Sequence, residues 1–213
     1  MSIICAVISN KLIAGKSHKE ELIELDFGKI GKINKPSLFG GVRQKDYIKP
    51  VSGKWTLKDD QLQTFCDEEM SDSTESIVLF GSGKWTDYAF AGHFTFMTQS
   101  MHPDEGGIIL YIRHKNSKNH YSFHFCFSKQ RIELWKCFRG QWSMVGEGVP
   151  YSFQLRYLYA FNISCEGNTY ICNIDREPVL QCTDADIHEG CAGLAAKYCS
   201  AGFQDVSVSR RIT

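Results

Sequence analysis

The chain has 213 residues, of which 43% are apolar, and this is enough to build one large hydrophobic core. Lysine and arginine total 24, as do aspartate and glutamate, so the formal net charge is zero. This balance argues against nucleic acid as a partner, because a broad nucleic-acid surface needs clustered excess cations. Aromatic residues at 13% and 18 glycines are typical of a protein built from strands and turns.

The first residues, MSIICAVISNKLIAG, begin apolar but carry no basic residue ahead of the apolar stretch. A signal peptide needs such a residue, and a membrane span needs roughly 20 apolar residues. The nine cysteines are odd in number and form no C-x-x-C pair, which leaves a zinc ribbon or a thioredoxin-type site unsupported. We therefore expect a cytoplasmic protein with free thiols and no membrane partner.

Two segments invite a helical interpretation, namely SHKEELIELDF near the start, which is equally compatible with a turn into a strand, and YCSAG near the end. Strand patterns fill the middle and the end of the chain. In order they are SIVLFG (76–81), TDYAFAGHFTFM (86–97), 108–114, 121–127, QRIELWKCF (130–138), SFQLRYLYAFNISCEGNTYICNIDREPVLQC and FQDVSVSR. They recur about every ten residues with turn-forming residues between them, which is typical of an antiparallel sandwich.

Alternation within these strands predicts which side chains are buried. Successive side chains of a strand point to opposite faces, so residues of one parity share an environment. The apolar parity predicts the following core between two sheets: Phe94, Phe96, Leu110, Ile112, Phe123, Phe125 and Leu134. An error of one residue in register would bury the polar parity instead, so the pattern specifies the faces strongly.

The opposite parity predicts an outer face that carries rings and hydrogen-bonding groups. Its members are Tyr111, Arg113, His120, Ser122, His124, Glu133 and Trp135. An indole or phenol ring can stack on the C–H face of a sugar, and arginine and carboxylate groups bind paired hydroxyls bidentately. The face is therefore a candidate site for an oligo- or polysaccharide. An ordinary polar face, stabilised by cross-strand pairs or covered by a partner, explains the same residues equally well.

Metal binding by the two histidines of this face is excluded. His120 and His124 lie four residues apart on one strand, which separates them by roughly 13 Å, too far to share one ion directly.

The order of six motifs resembles a known family. The motifs are SGKWTLKDDQLQ, GSGKWTDYAFAGHFTF, GGIILYIRH, NHYSFHF, IELWK and GCAGLAAKYCSAGFQDVSVS. Together they are similar to the concanavalin A-like jelly roll, and more narrowly to its laminin-G-like and glycosidase-associated modules. The resemblance covers residues 50–209, with residues 1–49 as an N-terminal strand and loop extension. It implies one all-β domain over residues 1–213, an antiparallel two-sheet sandwich whose bent sheet holds carbohydrate on a concave outer face.

The resemblance also implies a structural calcium ion between the chain ends. Asp26 and Asp205 are the oxygen donors to consider for such an ion. A turn-capping role for Asp205 is favoured, so no cofactor is expected.

Catalytic activity stays open at this point, because the fold hosts lectins, glycosidases, lyases and adhesion modules. A glycosidase needs two carboxylates about 5–10 Å apart. The Glu-x-Asp-x-x-Glu motif of the bent-sheet glycosidases is absent, so Glu133 would need a loop partner from the set Asp87, Asp104 and Glu105. A lyase would instead use Tyr111 or His124 as a base, with Arg113 neutralising a uronate.

The sequence-based prediction is a non-catalytic carbohydrate-binding module. A carbohydrate-active enzyme, either lyase or hydrolase, is the first alternative. A protein-interaction module, as laminin-G-like domains often are, is the second.

Overall fold

The computed structural model describes residues 6–9, 19–25, 38–39, 42–43, 48–66, 75–100, 102 and 104–212. This part of the chain contains nineteen strands and no helix. In chain order the strands are β1 (Ala6–Ser9), β2 (Lys19–Leu25), β3 (Leu38–Phe39), β4 (Val42–Arg43), β5 (Ile48–Ser52), β6 (Trp55–Lys58), β7 (Gln61–Thr64), β8 (Glu75–Phe80), β9 (Tyr88–Phe96), β10 (Gly107–Asn116), β11 (Asn119–Cys126), β12 (Arg131–Phe138), β13 (Gln141–Met144), β14 (Val149–Pro150), β15 (Tyr159–Glu166), β16 (Thr169–Ile174), β17 (Glu177–Thr183), β18 (Cys191–Lys197) and β19 (Ala201–Ile212). Both helical interpretations are wrong, because residues 19–25 form a strand and residues 198–200 precede one.

All described strands except β3 and β4 form two antiparallel sheets. The nine-stranded sheet has the order β1-β2-β19-β9-β15-β16-β17, with β7 beside β19 and β6 beside β7. The eight-stranded sheet has the order β13-β12-β11-β10-β18-β8-β5, with β14 beside β12. Strands β3 and β4 pair separately. The predicted all-β, two-sheet antiparallel sandwich is therefore confirmed.

The core lies between the two sheets and is built largely from aromatic rings. Phe94 on β9 packs against Phe125 on β11, with ring centroids 5.0 Å apart. The seven residues predicted to form the core are all fully buried. The parity prediction is thus confirmed for the predicted core positions of β9 to β12, and burial of each such side chain contributes about 1.5–3 kcal/mol to stability.

Eight of the nine cysteines lie in the described part of the chain, and all eight are free thiols. The ninth, Cys5, lies outside the described residues. Burial raises the pKa of the thiols of Cys165 and Cys191 to about 11, which keeps them protonated and weakly reactive at neutral pH. Among the described residues, no helix has the length and apolar character needed to span a bilayer.

Strand β10 departs from regular alternation at Arg113. Its pairing with β11 is regular up to Ile112 and resumes only at Asn116, and its register with β18 also shifts, between Tyr111 and His114. The φ angle of Arg113 is 46°, in the left-handed region, as in a β-bulge. Across the bulge, a Cβ on Gly190 would lie 2.1 Å from the carbonyl carbon of Arg113, so this position requires glycine. The bulge turns Arg113 inward and places His114 on the outer parity.

Candidate functional site

The outer face of the eight-stranded sheet carries a continuous set of rings, called here the ring cluster: Tyr111, His114, His120, His124, Trp135 and Trp142. His120 is central to it. Its ring is stacked on His114 at 5.2 Å and lies edge-on to Tyr111 at 5.0 Å and to Trp142 at 5.1 Å. His124 extends the cluster, with its centroid 6.2 Å from that of Trp135 and 6.3 Å from that of Trp142.

Strand register explains why these rings meet. Tyr111 on β10 pairs with Ser122 on β11, which pairs with Trp135 on β12, which pairs with Met144 on β13. The neighbouring row brings His120 opposite Cys137 and Cys137 opposite Trp142. Side chains in adjacent rows of one sheet face lie within reach of one another, so the rings form one surface.

Exposure of the cluster increases toward the edge strand β13. Tyr111 and His120 are buried, whereas His124 and Trp135 are half-buried. Trp142 is 52% exposed, and Met144 beside Trp135 is 41% exposed. A ligand would therefore meet Trp142 and Met144 first and the inner rings second.

Two glutamates hold the polar atoms of the rings in place. The indole Nε1 of Trp135 donates to Oε2 of Glu133 at 2.9 Å. The hydroxyl of Tyr111 donates to Oε1 of Glu75 at 2.6 Å. Burial raises the pKa of Glu75 above its usual value of 4.5, and the hydrogen bond from Tyr111 opposes that shift. Both rings are thus fixed by a carboxylate on the outer face.

The histidines of the cluster are neutral at pH 7. Burial lowers the pKa of His114 to about 4 and that of His124 to about 3, and it also lowers the pKa of His120. Nδ1 of His120 lies 3.2 Å from the carbonyl oxygen of Asn116, so the single proton of the neutral ring is on Nδ1. Nε2 of His120 is therefore an acceptor, and it is buried without a hydrogen-bond partner.

The prediction that Arg113 lies on the outer face is wrong. Its side chain is 1% exposed and points to the interior at one end of the sandwich, because of the bulge. All five N–H donors are engaged, with acceptors at 2.7–3.2 Å: the carbonyl oxygens of Thr86, Gly167 and Ile187, the hydroxyl of Tyr170 and Oδ1 of Asp87. Arg113 is therefore a structural residue, and the lyase hypothesis loses the cation that would have neutralised a uronate.

The other predicted site residues do share the outer parity, namely Tyr111, His120, Ser122, His124, Glu133 and Trp135. Sequence reasoning missed His114. If strand alternation continued without a bulge at Arg113, His114 would point into the core. Sequence reasoning also missed Trp142, which lies on the short strand β13 after the turn at Gly140. The signal was a glycine turn between IELWKCF and QWSM, which is typical of a hairpin.

The loop carboxylates considered as partners for Glu133 each have a cation beside them. Asp87 accepts from Arg113 at 3.2 Å, and Glu105 accepts from Lys197 at 2.8 Å. Oδ1 of Asp104 lies 3.9 Å from Nζ of Lys129. The charge of each carboxylate is therefore balanced locally.

The proposed calcium donors are only partly covered by the structure. Asp26 lies outside the described residues, and Asp205 is exposed, with Oδ2 3.2 Å from Nδ1 of His93. Within the described part of the chain, no group of three histidine, cysteine, aspartate or glutamate side chains is placed to hold a metal ion.

The sequence matches no known family model and no curated protein. Its fold, however, is shared by solved structures. The carbohydrate-binding module CBM66 from Bacillus subtilis is 21% identical with a TM-score of 0.63, over 75% of this chain and 92% of that one. The fold is the concanavalin A-like jelly roll.

Two further solved structures share this jelly roll. A prokaryotic beta-1,3-1,4-glucanase (lichenase) derived from a mouse hindgut metagenome is 11% identical with a TM-score of 0.59, over 90% of this chain and 99% of that one. The VIP36 exoplasmic/lumenal domain, in a form bound to Ca2+ and Man3GlcNAc, is 12% identical with a TM-score of 0.59, over 80% of this chain and 86% of that one. The predicted jelly-roll fold is confirmed, whereas the superfamily and the narrower likeness to laminin-G-like modules stay predictions.

Proposed function

We propose that the chain is a non-catalytic carbohydrate-binding module that binds an oligo- or polysaccharide on the outer face of the eight-stranded sheet. The observation that carries this proposal is the ring cluster, which runs from the buried Tyr111 to Trp142, whose side chain is 52% exposed. Aromatic rings that combine an apolar face with a polar edge suit a ligand that is itself part apolar and part hydroxyl-bearing.

The polar atoms of the face add hydrogen-bonding capacity to the stacking surface. Glu133 offers carboxylate oxygens, and Ser122 and His124 form a hydroxyl–imidazole pair at 2.9 Å. Carboxylates accept strongly from hydroxyl donors, whereas a neutral imidazole both donates and accepts. The combination matches the alternating C–H and O–H groups of a sugar ring.

The unpartnered Nε2 of His120 favours a binding face over an ordinary sheet surface. A buried acceptor without a donor costs about 1–3 kcal/mol, and such groups are uncommon in native proteins. A sugar hydroxyl that reached this atom, with an adjustment of the exposed Trp142 ring, would satisfy it. A purely structural surface gains nothing from leaving it unsatisfied.

Three features support binding without catalysis. The outer-face glutamates, Glu75 and Glu133, belong to strands four positions apart in the sheet, which corresponds to roughly 19 Å between the strands. Glycoside hydrolysis needs carboxyl groups about 5–10 Å apart. His124, with a pKa of about 3, is a weak base at neutral pH, and Arg113 is buried away from the face.

The similar solved structures include both carbohydrate-binding proteins and an enzyme. One similar structure is named as a carbohydrate-binding module and another contains Man3GlcNAc, but a third is a glucanase. Similarity at 11–21% identity establishes the fold alone, and the ring cluster of this chain is what supports carbohydrate binding.

A glycan array followed by product analysis tests the proposal. We expect the purified protein to bind at least one class of glycan and to release neither new reducing ends nor unsaturated uronides from it. Release of either product would identify an enzyme. Absence of glycan binding, together with recovery of a stable protein complex, would support the protein-interaction alternative and contradict the proposal.

A further inference from the structure

Carboxylates lie on both sides of the ring cluster. Glu75 accepts from Tyr111 on the β8 side, and Glu133 accepts from Trp135 on the β12 side. Glu75 is half-buried and Glu133 is buried, and each leaves carboxylate capacity beyond the one ring hydrogen bond. The face therefore has acidic groups at two of its margins.

The cations of the same face are already paired. Lys197, opposite Glu75 on β18, donates from Nζ to Oε2 of Glu105 at 2.8 Å. Arg131 donates from Nη2 to the carbonyl oxygen of Gly148 at 2.8 Å, and its Nε lies 3.6 Å from Oε1 of Glu133. In the described part of β8, β18 and β10 to β13, every outward-facing lysine or arginine thus has a carboxylate beside it.

The imidazoles of the ring cluster add no positive charge to the face at neutral pH. His114, His120 and His124 all have pKa values lowered by burial, so they are uncharged at neutral pH. Arg113, the cation that the sequence placed on this face, is in the interior instead. On the described strands of this face an incoming anion would meet glutamates and neutral rings but no unpaired cation, whereas Lys118 and Arg139 lie in the turns at the strand ends.

We infer that the ligand of the outer face is an uncharged glycan and that the face discriminates against sugars bearing carboxylate or sulfate groups. The inference rests on the proposed function and adds the chemical class of the ligand. Hydroxyl groups can donate to Glu75, Glu133 and the imidazole acceptors, whereas an anionic group would be repelled chiefly by Glu75, because Arg131 partly balances the charge of Glu133. Like charges brought together across an interface are a strong source of discrimination against wrong partners.

A pair of probes that differ only in charge tests this inference. The neutral probes are laminarin, mannan, galactan, inulin and cello-oligosaccharides, and each one that binds is compared with the same polymer after oxidation of its primary hydroxyls to carboxylates. Calorimetric titration at low salt should give a dissociation constant at least about ten-fold weaker for the oxidised form. The difference should shrink at high salt, because ions screen the repulsion. Equal or tighter binding of the oxidised polymer would overturn the inference, and absence of binding by both forms would overturn the proposed function and the inference with it.

A charge variant tests the cause. Glu105 is exposed and pairs with Lys197, so Glu105→Gln leaves Lys197 available to an anionic sugar. We expect this variant to gain about three-fold or more in affinity for the oxidised polymer and to keep its affinity for the neutral one. Asp205→Asn is the matched control, because it removes an exposed carboxylate beside His93 on the nine-stranded sheet. If Glu105→Gln changes neither affinity, or both equally, the electrostatic explanation is wrong.

Discussion

Arg113 donates a hydrogen bond from Nη1 to the hydroxyl of Tyr170 at 2.9 Å, and this bond joins the eight-stranded sheet to the nine-stranded sheet. The guanidinium carbon also lies 5.2 Å from the centroid of the Tyr170 ring. The remaining donors reach the segments around Asp87, Gly167 and Ile187. One side chain therefore connects both sheets and three loops at this end of the sandwich.

Replacing Arg113 with methionine should lower the free energy of unfolding by roughly 3 kcal/mol or more, because buried acceptors lose their donors. Arg113→Lys should be nearly as destabilising, since an ammonium group cannot reproduce the planar fork of five donors. Urea unfolding measures both. Lys115→Met is the control, because it breaks only an exposed pair with Glu189 and should change stability by less than about 1 kcal/mol. A similarly small change for Arg113→Met would contradict the structural role.

The sequence predicted the faces of the central strands because alternation persists while the strands stay regular. Up to Ile112, the side chains of β10 that the parity places in the core are buried there. At Arg113 a bulge adds one residue, and alternation carries no information about where a bulge occurs. The compensating feature, Gly190, lies 77 positions further along the chain, so the bulge depends on a long-range contact that local patterns do not encode.

Only part of the candidate site was predicted, because alternation is informative only on regular stretches of strand. Tyr111, His120, His124 and Trp135 lie on regular stretches, so parity sufficed to group them. Trp142 lies on a four-residue strand, too short for alternation to be diagnostic. The ring contacts that join it to His120 depend on the β12–β13 register.

The buried imidazoles make stability depend on pH. The folded-state pKa of His124, about 3, and that of His114, about 4, lie below the ordinary value of 6.5. Between those pKa values the unfolded chain binds more protons than the folded chain. The stabilising contribution of the neutral imidazoles is therefore fully present above pH 6.5 and is lost as the pH falls toward 4. We expect urea unfolding of the wild type to show this loss between pH 7 and 4.5, and His124→Gln to show a smaller one. Identical pH profiles for the two proteins would show that His124 is not the cause.

The thiol state tests both the cysteine prediction and the proposed cytoplasmic location. Titration under denaturing, non-reducing conditions should detect close to nine thiols per chain, because the eight described cysteines are free and the total is odd. Protein isolated from its natural source is the appropriate material, since expression hosts differ in redox poise. A count lower by two or more, restored by reductant, would reveal disulfides and argue for an oxidising compartment.

Trp142 should contribute more to glycan binding than to the stability of the fold. Its ring is half exposed on an edge strand, so Trp142→Ala should leave the melting temperature nearly unchanged and weaken glycan binding at least about ten-fold. Trp142→Phe should restore part of the affinity, because a smaller ring still stacks. Lys118→Ala, an exposed position near the same hairpin, is the control. Loss of stability without loss of binding in Trp142→Ala would place the ligand elsewhere.

The four tryptophans allow the most direct measurement of where a glycan binds. Trp135 and Trp142 belong to the ring cluster. Trp55 packs against Phe203, which lies on the nine-stranded sheet, and Trp85 is buried against Tyr88. Two-dimensional NMR resolves the indole N–H signal of each, and single Trp→Phe variants assign them. Addition of a glycan identified by the array should shift the signals of Trp142 and Trp135 and leave those of Trp55 and Trp85 in place. Shifts confined to Trp55 or Trp85, or no shift at saturating glycan, would contradict a binding site on the outer face of the eight-stranded sheet.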